Sequence, residues 1–346
     1  MDIEKVLEAK RRHLGLLLAK RNVVACGVGY KEIRGKRTEE PCVVVSVTKK
    51  MPEAQLAPDD IVPKRLEGVK TDVVETGVIR ALKGVPGKSG LLRDPNDRTA
   101  KWRPAPGGVS CGHIDITAGT LGCLVTRSDQ LFILSNNHVL GNSNAGQKGD
   151  PILQPGPYDG GTADDCIAVL EEFVPIEFET GGPTCPIAKW TESSLNWLAR
   201  ILGSSHRVKA FKKVLEVNQV DAAIAKPLSE DLVKREILEI GVPKGSREAT
   251  LGTKVKKSGR TSGLTTGEII QVHVTVRVNY GDNKVALFTD QLMAGAMSSP
   301  GDSGSAVLDE EDYVVGLLFA GSDRVTLMNP IHYVLEALNV AIAGVQ

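Results

Sequence analysis

Short β-rich segments alternate with turn residues across most of the sequence beyond residue 108. Such segments occur at 122–126, 222–225, 267–277 and 313–319, and Gly, Pro and Asn residues separate them. Several short strands at this spacing are typical of all-β sandwiches and barrels, because each strand turns back on its neighbour. The pattern therefore predicts an all-β domain of two barrels.

Residues 1–81 have a different pattern. Apolar residues recur at helical spacing over 2–20 with charged residues between them, which predicts an amphipathic helix. β-rich runs at 22–30 and 41–47 flank a charged, glycine-containing turn and predict a hairpin, and a third run follows at 69–74. We therefore predict a small α+β N-terminal domain over 1–81.

A linker and two helices complete the predicted organisation. Residues 82–107 are rich in Gly, Pro, Lys and Arg without sustained periodicity, which is typical of a linker, so the second domain is assigned to 108–346. Residues 190–202 predict a helix with Thr191 as its N-cap, inside an insertion whose role the sequence leaves open. Residues 329–342 predict a C-terminal helix that packs on the barrels.

Ser303 lies in the motif Gly301-Asp302-Ser303-Gly304. Glycines on both sides let the backbone turn tightly, so that amide N–H groups point into one small space beside the hydroxyl. Such a space predicts an oxyanion hole, to which we assign the N–H groups of Gly301 and Ser303. Because a hydroxyl alone is a weak nucleophile, this interpretation needs a histidine base and a carboxylate that orients it.

Both partners have candidates upstream. His138 follows an apolar run that predicts a buried strand, and Asp221 opens a stretch of small apolar residues. Asp164 and Asp165 are rival acids, but they follow a loop sequence, so we prefer Asp221. The order His, Asp, Ser along the chain is the order that chymotrypsin-like proteases use.

These motifs resemble those of trypsin-like serine proteases. Asn137-His138-Val139 and Asp221-Ala-Ala-Ile224 resemble the histidine and aspartate motifs of bacterial trypsin-like and high-temperature-requirement proteases. Together with the serine motif, 259–267 and 288–290 look most like the plant narrow-leaf proteases and their bacterial relatives. The resemblance covers about residues 108–340.

The resemblance implies a chymotrypsin-like double six-stranded barrel with a C-terminal helix, and a serine endopeptidase that works through an acyl-enzyme. Ser303 is then the nucleophile, His138 the general base and Asp221 the residue that orients His138. Two positions depart from most trypsins: Ser305 replaces a second glycine, and Phe319 replaces a serine. Protein or peptide substrates follow from this family and no cofactor is implied.

The resemblance also places a primary specificity pocket beside the serine motif. The residues assigned to this pocket are Met297, Phe319, Ala320 and Gly321. An apolar floor at Met297 predicts a preference for Leu, Met or Val side chains, and poor use of Arg or Lys because a buried unpaired cation is costly. Asp290 or Asp323 would reverse this preference if its loop folded inward.

Charge and cysteine content narrow the cellular context. Lys plus Arg and Asp plus Glu both number 42, so there is no basic surplus for nucleic-acid or anionic-membrane binding, and both partners are disfavoured. The longest apolar run near the N-terminus, 14–19, is too short for an export segment, so a cytoplasmic location is the expectation. Val139 stands where secreted trypsins have a cysteine, which favours free thiols in a reducing compartment.

The six cysteines are Cys26, Cys42, Cys111, Cys123, Cys166 and Cys185. Cys111, His113 and Cys123 lack a paired Cys-x-x-Cys spacing, so we expect strand residues there and no metal.

Two other functions remain open: a catalytically silent scaffold of the same fold, and an esterase or acyl transferase with the same triad. The sequence also leaves open whether the protein forms a homo-oligomer.

In trypsin-like zymogens a freed N-terminus pairs with the aspartate that matches Asp302. No clear activation site precedes residue 108, so we expect the oxyanion turn to form without cleavage. We also expect the N-terminal domain to regulate the protease through the linker.

Overall fold

A computed structural model of the protein describes residues 2–33, 35–82, 96–179, 186–201 and 217–344. Cys185, half of the predicted linker (83–95) and parts of the predicted insertion (181–185 and 202–216) therefore lie outside the described residues. Within the described ranges the chain forms 22 strands and four α-helices.

The strands, in chain order, are β1 Val23–Ile33, β2 Lys36–Val47, β3 Arg65–Leu66, β4 Val69–Glu75, β5 Arg80–Ala81, β6 Ala105–Gly107, β7 Ser110–His113, β8 Gly119–Thr120, β9 Cys123–Arg127, β10 Gln130–Ser135, β11 Pro151–Leu153, β12 Cys166–Phe173, β13 Ala223–Pro227, β14 Val233–Ile237, β15 Gly245–Ser246, β16 Lys254–Gly259, β17 Gly263–Gly281, β18 Lys284–Gly295, β19 Ala306–Asp309, β20 Tyr313–Gly321, β21 Val325–Pro330 and β22 Ala341–Ile342. The α-helices are α1 Ile3–Leu18, α2 Asn137–Leu140, α3 Pro186–Ile201 and α4 Ile331–Leu338. Short 3-10 helices occupy Glu53–Gln55, Pro58–Asp60, Asn142–Asn144, Pro157–Asp159, Ala163–Asp165 and Glu230–Leu232.

Six strands of the C-terminal half close into a ring. Neighbours pair in the order β16, β19, β20, β21, β18 and β17, and β17 pairs back with β16. A closed ring leaves no free edge among these six strands. The ring is the second barrel that the sequence predicts.

The first barrel precedes it in the chain. Its sheet runs β22, β9, β10, β13, β12, β11, β7 and β8. Leu121 accepts a backbone hydrogen bond from Gly108 at 2.7 Å and donates one to Val109 at 2.9 Å, which extends the pairing of β7 with β8 by one residue. The predicted all-β, chymotrypsin-like fold class is therefore confirmed.

The N-terminal segment contains the predicted helix and strands, but these do not stand apart from the second barrel. β1 and β2 form the predicted hairpin, β4 pairs parallel to β2, and β1 pairs antiparallel with β17, with Ala25 opposite Val276. The N-terminal strands thereby extend one 12-stranded sheet. One core cluster contains residues from both parts, including Leu17, Val28 and Leu287. The domain bounds themselves remain a prediction.

Helix α1 is attached to β17 through a buried lysine. Lys10 is 2% exposed, and its Nζ donates to the carbonyl of His273 at 2.6 Å and to Thr275 Oγ1 at 2.8 Å. Burial lowers the pKa of Lys10 to about 8, and the nearby Asp290 carboxylate opposes this shift. The lysine is hydrogen-bonded as the burial of a charged group requires.

The bounds of the two later helices differ from the predicted ones. α3 begins at Pro186, so Thr191 lies inside the helix and the predicted N-cap is wrong. α4 ends at Leu338 because Asn339 adopts a left-handed conformation (φ 49°), and the chain continues into β22.

Among the helices that the structure describes, none has the length and apolar character needed to cross a membrane.

Candidate active site

Adjacent strands of the first barrel bring His138 and Asp221 together. His138 is in α2, just after β10, and Asp221 stands just before β13, which pairs with β10 through Ser135 and Ala223. His138 Nδ1 lies 2.6 Å from Asp221 Oδ2, and the backbone N–H of His138 donates to Oδ1 at 3.2 Å. Both side chains are buried. The carboxylate therefore fixes the imidazole ring and favours the tautomer that carries its proton on Nδ1.

Asp221 itself is held by three further polar groups. The hydroxyl of Tyr280 donates to Oδ2 at 2.7 Å. The Asn136 side chain donates to the Asp221 carbonyl at 2.7 Å, and the Asp221 N–H donates to Asn329 Oδ1 at 3.1 Å. Tyr280 therefore gives the buried carboxylate a second side-chain hydrogen bond beside that of His138, whereas the two asparagines fix the main chain of Asp221.

Tyr280 is a site residue that the sequence analysis missed. Burial, followed by the charge and hydrogen bond of Asp221, raises its pKa well above the usual value, so the phenol remains a hydrogen-bond donor. Its ring meets the His138 ring edge-on, with centroids 5.8 Å apart, and packs against Phe178 at 5.4 Å. Tyr280 lies near the end of β17, in the other barrel, where no local motif marks it.

Ser303 lies in a tight turn between β18 and β19. Gly301 and Gly304 have φ values of 103° and 93°, a region that residues with a side chain rarely adopt, which explains both glycines. Ser303 is fully buried, and its Oγ donates to the carbonyl of Phe319 at 3.1 Å. No hydrogen bond joins Ser303 to His138 in this structure, and within the described part of the chain His138 Nε2 has no hydrogen-bond partner.

The serine turn is docked on the first barrel. The N–H of Thr120 donates to the Ser303 carbonyl at 2.8 Å, and the Thr120 hydroxyl donates to the Gly301 carbonyl at 2.9 Å. A Cβ atom added to Gly119 would come within 2.5 Å of Val139 Cγ2 and 3.1 Å of the Ser303 carbonyl oxygen. The Val139 side chain of the helix that carries His138 and the backbone of the serine turn therefore both pack against Gly119.

Asp302 is fully buried and anchors the same turn. Its carboxylate accepts the N–H groups of Thr261, Ser262 and Ser299 at 2.8, 3.1 and 2.9 Å. Lys257 Nζ, also fully buried, lies 3.1 Å from Asp302 Oδ2. Burial lowers the pKa of Lys257, and the charge of Asp302 opposes that shift. Lys257 of β16 therefore supplies a buried cation that pairs with the carboxylate of the serine turn.

The four residues assigned to the specificity pocket lie around the end of β20 and the loop before Ser303. Met297 is 4% exposed, and its sulfur would be 2.7 Å from a Cβ atom on Gly267. The Phe319 ring packs against Phe288, with centroids 4.8 Å apart, and the Phe319 carbonyl accepts the Ser303 hydroxyl. Ala320 and Gly321 follow at the end of β20.

The rival acids lie elsewhere. Asp164 is exposed. Asp165 forms an ion pair with Lys101 at 2.6 Å and accepts the Thr162 N–H at 3.0 Å. The hydrogen bond from Lys101 and the one from Thr162 lower its pKa. These contacts account for Asp165 as a residue that stabilises its own loop.

His113 has partners for both ring nitrogens. Nε2 lies 2.9 Å from Asp150 Oδ2, and Nδ1 accepts the N–H of Asp115 at 3.1 Å. In the ranges that the structure covers, no group of three or more His, Cys, Asp or Glu side chains is arranged to hold a metal ion.

A surface cavity of about 190 Å³ adjoins His138. Residues of the β7–β8 connection line it together with Asn142 and Ser143. The cavity gives the region around the imidazole an opening to solvent.

Two comparisons concern the sequence. Residues 10–79 match a family model described as the NARROW LEAF 1 N-terminal domain. The chain is 25% identical over 338 residues to Protein NARROW LEAF 1 of Oryza sativa subsp. japonica, which covers 88% of this chain and 52% of that protein. The predicted narrow-leaf resemblance is confirmed. The chain spans about half the length of this curated relative.

Solved structures of serine proteases are more distant. Thermobifida fusca Protease A is 17% identical, with a TM-score of 0.44 over 70% of this chain and 99% of that one. A glutamic acid specific serine protease, described as using a histidine triad in substrate binding, is 18% identical, with a TM-score of 0.44 over 69% of this chain and 100% of that one.

Proposed function

We propose that this protein is a serine endopeptidase that hydrolyses peptide bonds in proteins or peptides through Ser303, His138 and Asp221. The observation that carries the proposal is the 2.6 Å contact between His138 Nδ1 and the buried Asp221 carboxylate, with Nε2 left without a partner. A histidine oriented in this way is the general base that a serine nucleophile requires. The docking of the serine turn beside α2 supports the same assignment.

In the proposed mechanism the Ser303 hydroxyl first rotates from the Phe319 carbonyl towards His138 Nε2. Ser303 Oγ then attacks the substrate carbonyl carbon while His138 takes the proton, and Asp221 stabilises the resulting imidazolium. The N–H groups of Gly301 and Ser303 bind the oxyanion. His138 next protonates the leaving amine, and a water molecule repeats the sequence to release the acid.

We propose that the primary pocket prefers substrates with an apolar side chain at the cleaved position. Met297 is buried near Ser298, and it has no charge to pair with a cationic substrate. Asp290 is hydrogen-bonded to His273 at 3.3 Å, and Asp323 is exposed, so their contacts support neither as a pocket carboxylate. A peptide-library digest tests this choice, because dominant cleavage after Arg or Lys would contradict it.

A catalytically silent scaffold is the second candidate. The specific observation in its favour is that the Ser303 hydroxyl is hydrogen-bonded to the Phe319 carbonyl and not to His138. Such contacts in a structure without substrate do not exclude catalysis, because catalytic hydrogen bonds often tighten only when the substrate binds. Chemical reactivity of Ser303 therefore separates the two candidates.

The test is active-site labelling with a fluorophosphonate, read by mass spectrometry, together with hydrolysis of peptides that carry Leu at the cleaved position. Ser303→Ala should lose both. Ser299→Ala is the matched control, because Ser299 is in the same loop and its backbone N–H, which alanine keeps, is the group that binds Asp302. Labelling at another serine, or unchanged hydrolysis by Ser303→Ala, would overturn the assignment.

We also propose that the protein is located in the cytoplasm. Five cysteines are described as unpaired thiols, and four of them are buried, which supports a reducing compartment. Cell fractionation followed by immunodetection tests it, and recovery in a secreted fraction would contradict it.

A further inference from the structure

The segment that ends at Leu82 runs alongside the proposed active site. β5 pairs antiparallel with the end of β20, with Arg80 opposite Gly321 and Ala81 opposite Ala320. On its other side β5 pairs in parallel with β17, where the Asn279 N–H donates to the Ile79 carbonyl at 3.1 Å. An extended peptide added as a strand to a protein sheet is a common mode of peptide recognition.

The main chain of Leu82 contacts two groups of the proposed catalytic site. Its N–H donates to the Phe319 carbonyl at 3.4 Å, the same oxygen that accepts the Ser303 hydroxyl. Its carbonyl oxygen accepts the Gly301 N–H at 2.8 Å. Gly301 is one of the two donors assigned to the oxyanion hole, so the carbonyl that occupies this position is the one that Ser303 would attack.

The side chains alternate as those of a bound peptide do. Leu82 is 6% exposed and belongs to the same buried apolar cluster as Met297. A Cβ atom on Gly321 would lie 3.5 Å from Leu82 Cδ1, so the leucine fills the space beside this pocket glycine. Ile79 and Ala81 are buried in the other cluster, with the Phe319 ring, whereas Arg80 is exposed.

We propose that residues 79–82 are the acyl side of an internal substrate, and that the protein cleaves its own chain at the peptide bond after Leu82. This inference rests on the proposed function. It names the bond that is cleaved, and it names Leu82 as the side chain that occupies the primary pocket.

The chemistry balances with the proposed triad alone. Ser303 Oγ bonds to the Leu82 carbonyl carbon and gives its proton to His138, the bond from that carbon to the next backbone nitrogen breaks, and His138 returns the proton to this nitrogen. Water then cleaves the Leu82 ester. The products are residues 1–82 with a new carboxylate and residues 83–346 with a new amino group.

The first experiment follows the purified full-length chain by intact mass spectrometry over time. Wild type should split into residues 1–82 and 83–346, and Ser303→Ala should remain whole. Leu82→Asp should slow the cleavage about 100-fold or more, because a buried unpaired carboxylate in an apolar pocket is costly. Val78→Asp is the matched control, since Val78 is 41% exposed and lies just before the bound segment. It should be cleaved at the wild-type rate.

A second measurement keeps the test valid if Leu82→Asp folds poorly. A synthetic peptide of residues 76–87 is supplied to wild type and to Val78→Asp, and cleavage after the leucine is expected. The same peptide with aspartate in place of leucine should stay intact. Cleavage of the chain or the peptide at any other bond would overturn the proposed site.

Fluorophosphonate labelling separates failure of the inference from failure of the proposed function. If wild type and Leu82→Asp are labelled equally at Ser303 and the chain stays whole, the self-cleavage is refuted and the peptidase assignment stands. If Leu82→Asp is labelled far faster and wild type still stays whole, the segment blocks the site without being cut, which also refutes the cleavage. If neither protein nor the peptide reacts, the proposed function fails and the inference fails with it.

Discussion

Lys257 offers the sharpest test of how the serine turn is held. Lys257→Met replaces the buried ammonium with an apolar side chain of similar length and leaves Asp302 charged with three backbone N–H donors. Removing one partner of a buried ion pair typically costs about 3–5 kcal/mol. Because the three N–H groups still compensate part of the charge, we expect the lower end, about 3 kcal/mol.

The loss should also appear in catalysis. Asp302 lies between the two N–H donors assigned to the oxyanion hole, so a displaced Asp302 moves the Gly301 N–H. Loss of one such donor typically costs about 10²–10³ in turnover. Urea unfolding measures the stability, and peptide hydrolysis with the fluorophosphonate labelling rate measures the site.

A double variant separates the unpaired charge from other effects of the substitution. The double variant Lys257→Met/Asp302→Asn should regain stability over Lys257→Met. If Lys257→Met kept the stability and the turnover of wild type, the anchoring role of Lys257 would be refuted.

Four further predictions concern other contacts. Asp221→Asn should keep the fold and lose about 10⁴ in turnover, because the amide favours the wrong histidine tautomer; full activity would contradict the triad. Tyr280→Phe removes a hydrogen bond to a charged group, so it should lose about 1.5–3 kcal/mol of stability. It should also lower kcat with little change in KM. Unfolding curves and steady-state kinetics measure these effects, and an unchanged kcat would exclude a positioning role. For Lys10, whose pKa is lowered to about 8, the unfolded chain binds more protons between pH 8 and about 10.5. As the pH rises through this range, the free energy of unfolding of wild type should increase by up to about 3 kcal/mol relative to that of Lys10→Met. Urea unfolding at several pH values measures both proteins, and parallel curves of stability against pH would refute the prediction. Met297→Asp should shift a peptide-library digest towards cleavage after Arg or Lys, and an unchanged digest would place the pocket elsewhere.

The sequence predicted those features that local patterns determine. The β-rich segments and turns indicated the barrels, and α1 with the β1–β2 hairpin lies where periodicity placed them. The motifs around His138 and Asp221 singled out two side chains that the structure joins by a hydrogen bond.

The features that the sequence did not predict depend on contacts between distant parts of the chain. Tyr280 and Lys257 are ordinary strand residues in the sequence, and only strand pairing brings them to Asp221 and Asp302. The β1–β17 pairing joins segments that no periodicity relates. Residues 80–81 are too short a run to predict as a strand, and their place beside β20 follows from the surrounding sheet.

The pairing of β1 with β17 has a consequence for any shortened form of the protein. A chain that starts near residue 107 would lack β1 and leave the backbone of β17 unpaired around Val276, and such an exposed strand edge invites intermolecular pairing and aggregation. A single cut after Leu82 leaves β1 in its place, because its ladder to β17 and the packing of Leu17 and Val28 do not depend on a covalent connection. The two pieces would then co-elute from a size-exclusion column as one complex and separate only in denaturant.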